Sequence, residues 1–306
     1  MLLRIGTRGS KLALAQSNWV KRKVEAEHSR VEVELVKIKT RGDQILDSPL
    51  SKIGGKGLFV KEIEDELLDK RVDVAVHSMK DVPTEIPDGL EFAVFPQREN
   101  PRDAFVSLKY SAFAKLPKNA LIGTSSLRRS AQLLHQRSDL QVIPLRGNVD
   151  TRLRKLESGE YMAIILAVAG LKRLGLEKRI TEVIDEDQVI PAVGQGALGL
   201  EIRREDAETC EVLGFLNHPE TELRIKTERA FLKELEGGCQ VPLAAFCRLK
   251  ENRLHLEGMV AEVDGSKILR DKITGAKEQA EEIGIELAKR LLDLGAGEIL
   301  ARIYGK

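Results

Sequence analysis

A chain of 306 residues is long enough for two or three domains of roughly 100–200 residues each. Hydrophobic residues at 42% and charged residues at 32% are the mixture of a soluble globular protein, which excludes a disordered, collagen-like or membrane-embedded chain. The net charge of +1 hides an asymmetry: it is 0 over residues 1–99, +9 over 100–180 and −8 over 181–306, so the middle third is either an anion-binding region or a solvated basic face.

The opening Met1 to Arg8 places charges where a signal peptide needs an apolar core, and the longest apolar run, Met162 to Leu171, is about half of the ~20 residues that span a bilayer. Three cysteines, Cys210, Cys239 and Cys247, form no Cys-x-x-Cys pair. The expectation is a cytoplasmic protein with reduced thiols, no metal site and no membrane partner.

In chain order, Leu2 to Thr7 predicts a strand, and Ser10 an N-cap for a helix with Leu12, Ala15, Trp19, Val20 and Val24 on one face. Val31 to Lys39 alternates as a second strand. Val60, Ile63, Leu67 and Leu68 give a helical face, and Val72 to Val76 is apolar enough for a strand covered on both sides. Strand, helix, strand, helix, strand is the pattern of a mainly parallel α/β domain, ending near Pro96.

Gly54-Gly55-Lys56-Gly57 lacks the spacing of a nucleotide-binding P-loop; a glycine-rich loop closing Lys52 and Lys56 over an anion and an ordinary surface turn are both open readings. His77-Ser78-Met79-Lys80-Asp81-Val82-Pro83 runs from a buried strand into polar residues at the carboxyl end of the sheet, where ligands of open α/β sheets bind. Asp81 is there either as an acid–base group or as a turn residue closing the strand.

After a proline-bounded linker, Pro96 to Pro101, the opening repeats at an offset of 117 residues, Ile122-Gly123-Thr124 answering Ile5-Gly6-Thr7. Val142 to Leu145 and Met162 to Val168 supply the second and third strands of a second α/β domain, and the return crossing falls near Pro191 to Gly196. Thr124, Ser125 and Ser126 bring hydroxyls to a helix N-terminus beside Arg128 and Arg129, and Arg146 and Arg152 follow the next strand; this is an arrangement suited to carboxylate or phosphate. Tyr161 is the only ring between Arg128 and Arg179, so a nucleic acid, which needs stacking aromatics, fits less well than a multiply charged small molecule.

Beyond Pro219 the pattern changes to a helix through Leu235, three alternating strands with an Asp264-Gly265 hairpin signal, and a long helix carrying Ala280, Ile283, Leu287, Leu291 and Leu294. Gly237 is placed as the C-cap of the first of these helices. Cys239 then lies on a Gly-Gly loop as either an inert thiol or a reactive one. The resulting division is 1–97 with 192–217, 98–191, and 218–306.

Six motifs, in order, resemble the porphobilinogen deaminase family: Thr40-Arg41-Gly42-Asp43, Gly54 to Phe59, His77 to Pro83, Gly123 to Arg129, Leu145 to Val149, and Glu236 to Pro242. The resemblance implies a transferase of tetrapyrrole (haem) biosynthesis that joins four porphobilinogen molecules head to tail with loss of ammonia. It further implies a dipyrromethane cofactor on Cys239 through a thioether, and release of hydroxymethylbilane by water. The implied fold is two domains resembling type II periplasmic binding proteins plus a small α+β domain with a three-stranded antiparallel sheet.

Residue by residue, the resemblance implies catalysis by Asp81 and Lys80. It implies cofactor contacts from Cys239, Lys80, Asp81, Thr124, Ser125, Ser126, Arg128, Arg129, Arg146 and Gly147. Contacts to porphobilinogen and the growing linear pyrrole chain fall to Arg8, Ser10, Gln16, Lys52, Lys56, Arg146, Arg152, Ala167, Arg173 and Gln195. A monomer with no nucleic-acid partner is implied. The rival from another class, a solute-binding protein of the same two-domain fold, has no need for Gly238-Cys239 or for the third domain.

Overall fold

The computed structural model describes residues 1–44, 57, 60–237 and 241–305. Lys52, Lys56 and Cys239 therefore lie outside the described residues, as does most of the Gly54–Phe59 motif. The chain divides into two compact units, Met1–Glu99 with Ala197–Glu222, and Asn100–Gly196 with Leu223–Lys306.

The first unit contains strands β1 (Leu2–Arg8), β2 (Glu32–Ile38), β3 (Val74–Ser78) and β4 (Leu90–Val94). The second contains β5 (Asp103–Val106), β6 (Leu121–Gly123), β7 (Gln141–Ile143), β8 (Ala163–Ala167) and β9 (Glu182–Val183), after which β10 (Leu198–Arg203) returns to the first. The two five-stranded sheets run β2-β1-β3-β10-β4 and β7-β6-β8-β5-β9. Their pairings match strand for strand: β1 is parallel to β2 and β3, as β6 is to β7 and β8, while β10 and β5 lie antiparallel to both neighbours. The 117-residue repeat read from the sequence is thus a repeat of topology, and the fold is α/β.

Both faces of each sheet are covered, which is why the central strands read as unbroken apolar runs. Along β3, Val74 and Val76 pack with Val20 and Val24 of the helix Lys11–Glu27, whereas Ala75 faces Ile63 and Leu67 of the helix Lys61–Leu68. In the second sheet Ile165 packs with Leu133 of the helix Leu127–Gln136, and Ile164 with Leu153 and Leu156 of the helix Val149–Glu157.

The second unit also holds an antiparallel sheet of β11 (Leu243–Lys250), β12 (Arg253–Ala261) and β13 (Ile268–Ala276). Phe231 and Leu235, with Ile283, Leu287 and Leu291 from the helix Ala280–Leu291, close over it. The expected hairpin between β12 and β13 is present, with Gly265 at φ +74° in its turn.

Two local expectations are corrected. The last helix does not continue through Leu294: after Leu291 the backbone widens over Leu292–Ala296, Gly295 takes φ +98°, and a new helix runs Gly297–Tyr304, leaving Leu294 54% exposed. Nor is Gly237 the left-handed cap of the helix Pro219–Glu234. Glu236 holds φ +49° instead, its N–H donating to Lys233 O while the Gly237 N–H reaches Leu232 O, the paired bonds of a Schellman ending. A Cβ at 237 would stand 2.4 Å from Leu243 Cδ2 and 2.9 Å from Leu232 Cδ1, so any larger residue there makes those side chains move.

Candidate functional site

The carboxyl ends of β1 and β3 build a crevice in the first unit. Arg8 ends β1, and Ser10 caps the following helix by accepting from Ala13 N at 3.2 Å. One and a half turns further on, Gln16 donates Nε2 to Ser78 Oγ at 3.0 Å, tying the helix to the end of β3. The backbone then turns through Met79–Asp81, with Met79 buried and its N–H on Ala197 O at 3.1 Å. Lys80 is left half-buried and Asp81 exposed. Arg8, Ser10, Gln16, Ser78 and Asp81 line one pocket, floored by Val60, Ile63 and Val76. A carboxylate, a guanidinium and hydroxyls over an apolar floor suit a ligand with a flat ring and ionised arms.

The equivalent strand ends of the second unit carry the other expected residues. Ser126 caps the helix Leu127–Gln136 through Arg129 N, and Ser125 Oγ donates to Leu145 O at 2.9 Å. Gly147, at φ +106° and with Thr151 where a Cβ would fall, makes the turn that lets Asn148 cap the helix Val149–Glu157. Arg146 is half-buried above it, and Arg152 Nε donates to Gly147 O at 2.8 Å. Ala167 ends β8, and Arg173 on the helix Val168–Arg173 donates to Gly196 O at 2.7 Å.

Arg128 and Arg129 do not point outward as solvated anion hooks. Both are buried against Asp103, with Arg128 Nη1 2.8 Å from Oδ2 and Arg129 Nη2 2.7 Å from Oδ1. Gln195 Nε2 adds a bond to the same Oδ1 at 2.9 Å. Burial would raise the Asp103 pKa, but the two guanidiniums override it and hold the carboxyl well below the usual carboxylate range. Two cations against one carboxylate leave an excess positive charge, and among the described residues buried Arg128 Nε has no hydrogen-bond partner.

The sequence reading missed Asp103. Its signal was an acidic residue opening the otherwise apolar β5, Asp103-Ala104-Phe105-Val106.

Family models decide between the two readings of the fold. Residues 3–211 match "Porphobilinogen deaminase, dipyromethane cofactor binding domain" and residues 222–293 match "Porphobilinogen deaminase, C-terminal domain". The chain belongs to the porphobilinogen deaminase family. Porphobilinogen deaminases of Pelobacter propionicus and Trichlorobacter lovleyi are 53% and 55% identical over 302 residues, 99% of this chain and 97% and 96% of theirs.

Among solved structures, the methionine-binding protein MetQ is 13% identical with a TM-score of 0.45, covering 69% of this chain and 88% of its own. A periplasmic substrate-binding protein from Coxiella burnetii is 14% identical with a TM-score of 0.44, covering 72% of this chain and 94% of its own. In the deaminase family, the first model spans both five-stranded sheets and the second the three-stranded one. No helix among the described residues is long and apolar enough to cross a membrane.

Proposed function

We propose that this chain joins four porphobilinogen molecules head to tail, with loss of ammonia at each step, and releases hydroxymethylbilane, as a transferase of tetrapyrrole and haem biosynthesis. The observation that carries the reading is the placement of Asp81: an exposed carboxylate on a turn held from within by Met79, in a pocket shared with Arg8, Ser10 and Gln16. In this reading the chain works in the cytoplasm as a monomer on small molecules, without a nucleic-acid partner.

The residues present fit a dipyrromethane, whose ring carboxylates need cations and donors: Lys80, Thr124, Ser125, Ser126, Arg146 and the backbone at Gly147 offer them, and Arg128 Nε is a buried donor with capacity to spare. Arg129 completes the set by fixing, with Asp103, the helix that presents those hydroxyls. Bound through a thioether at Cys239, the cofactor supplies the electron-rich ring carbon to which the first substrate ring is joined. Every later role falls to the chain itself.

Arg8, Ser10, Arg152 and Arg173, together with Lys52 and Lys56, take the acetate and propionate of each incoming porphobilinogen, and Gln16, Ala167 and Gln195 shape the walls. Asp81 accepts hydrogen bonds from pyrrole N–H groups and stabilises the positive charge that develops on the ring and its methylene as the amino group of the aminomethyl arm departs as ammonia. After the new carbon–carbon bond forms, the same carboxylate receives the proton leaving the ring carbon. Lys80, its chain neighbour on the same turn, offers a cation to the ring carboxylates.

Intact mass tests the anchor: the purified protein should exceed its polypeptide mass by two pyrrole units. Cys239→Ser should remove that excess, because a hydroxyl is a far weaker nucleophile than a thiolate. A Cys239→Ser protein that kept the added mass would overturn the assignment.

A further inference from the structure

Beneath the Asp81 turn lies a group of titratable side chains that the reaction as described does not use. His77 is the penultimate residue of β3, and its ring is buried, with Nε2 2.9 Å from Glu201 Oε2 on the neighbouring strand β10. Phe92 of β4 meets the ring edge-on at 5.7 Å. Glu64, on the helix Lys61–Leu68, is also buried, and the charges that act on it most strongly are Glu201 and His77, then Asp65 and Lys61 on its own helix. Arg8 and Asp81 share with His77 the pocket above.

The arrangement is costly for the fold. Glu201 is 1% exposed, and neither of its oxygens has a well-aligned hydrogen-bond donor among the described residues. Apolar side chains of similar volume would be as stable at such a place or more so, so stability does not explain an imidazole and two carboxylates in a sheet interior. Their position does suggest a use. Along the chain His77 points in, Ser78 reaches the pocket, Met79 points in, and Asp81 emerges. The His77–Glu201 contact thus lies at the end of β3, directly before the Ser78 and Met79 contacts that lead to the carboxylate the proposed reaction needs.

We propose that His77, buried with its Nε2 2.9 Å from Glu201 Oε2, is a positioning residue that sets the Asp81 turn for each round of ammonia loss and proton transfer. The proposal rests on the deaminase reading above. Glu64 is the member that switches: burial, then the Glu201 charge, push it up to about 7, so near neutral pH it passes from a neutral acid to a second buried carboxylate beside Glu201. That added charge draws on the imidazole and loads the end of β3.

The test uses the holoenzyme and measures kcat and KM for porphobilinogen against pH, with cofactor content by mass. Glu64→Gln keeps the shape and holds the site neutral, and an ionisation near 7 in the wild-type kcat profile should vanish. His77→Gln should lower kcat by ~10- to 100-fold, the scale of a slight misplacement of a reacting group, with KM within about twofold and the cofactor retained. Where His77→Gln does not fold, Glu64→Gln alone carries the decision. A Glu64→Gln profile that superimposes on wild type would overturn the proposal. Absence of ammonia release from the wild-type holoenzyme would instead overturn the deaminase reading.

Discussion

Asp103→Asn removes one charge and almost no volume from the second unit. Arg128 and Arg129, 4% and 5% exposed, would then face each other and a neutral amide, with contacts at 2.7, 2.8 and 3.0 Å weakened together. Removing one partner of a buried ion pair costs about 3–5 kcal/mol, because the remaining charge has neither water nor a counterion. With a urea slope of roughly 2–3 kcal/mol per molar, the transition midpoint should fall by about 1–2.5 M.

Trp19, the single tryptophan, lies in the first unit, so its fluorescence follows that unit while circular dichroism follows both. The shift should be seen in the dichroism. A folded carboxylate held below its ordinary range contributes fully above about pH 4 and loses that contribution as pH falls through the depressed value. The difference between Asp103→Asn and wild type should therefore be steady from about pH 5 to about pH 8 and shrink in acid. Glu91→Gln, which breaks only the exposed 3.8 Å contact to Arg204, should leave the midpoint where it is. A shift below ~0.3 M for Asp103→Asn would refute the reasoning, since the carboxylate would then be dispensable to its two arginines.

Asp81→Asn should lower ammonia release by at least ~10²-fold without loss of cofactor mass, the range for removing a proton-transfer group; near-normal turnover would move that role elsewhere. Gly237→Ala should destabilise the second unit by about 1–3 kcal/mol, as overpacking does, because the new methyl meets Leu243 and Leu232; an unchanged melting temperature would show that these side chains give way. Glu64 has a raised folded pKa, so the stability tied to its proton is complete below about pH 4.5 and lost as pH rises through about 7. Glu64→Gln should thus be more stable than wild type at about pH 8, by up to roughly 3 kcal/mol at 1.36 kcal/mol per pH unit, with the advantage gone in mild acid.

How far the sequence carried the reading depends on how local each signal is. The Gly-Thr strand ends at Gly6 and Gly123 and the cap Ser10 act through neighbours within a few residues, so they were legible and the paired sheets followed from them. Asp103, Glu201 and Glu64 were not. Their significance lies in partners far away in sequence, such as Arg128 for Asp103 and His77 for Glu201. The two antiparallel crossing strands β5 and β10 escaped for the same reason, having no helix before them to mark a repeat. Leu294 and Gly237 misled in the opposite way: each matched a helical rule locally, but Gly295 at positive φ and the closeness of Leu243 decided the outcome.

The place of β10 between β3 and β4 has a consequence for how this protein is made. When the first 99 residues have left the ribosome, β3 and β4 still lack the strand that joins them, which lies ~120 residues further along, from Ser78 to Leu198. With the end of β10 about 104 residues beyond residue 99, a rate of roughly 5–20 residues per second makes a wait of about 5–21 s during which apolar strand edges stand open to any neighbouring chain. The second unit's β5 to β9 emerge complete within that interval. The nascent chain thus finishes the sheet of its middle before that of its beginning, and the N-terminal sheet, although translated first, is the later of the two to receive all its strands.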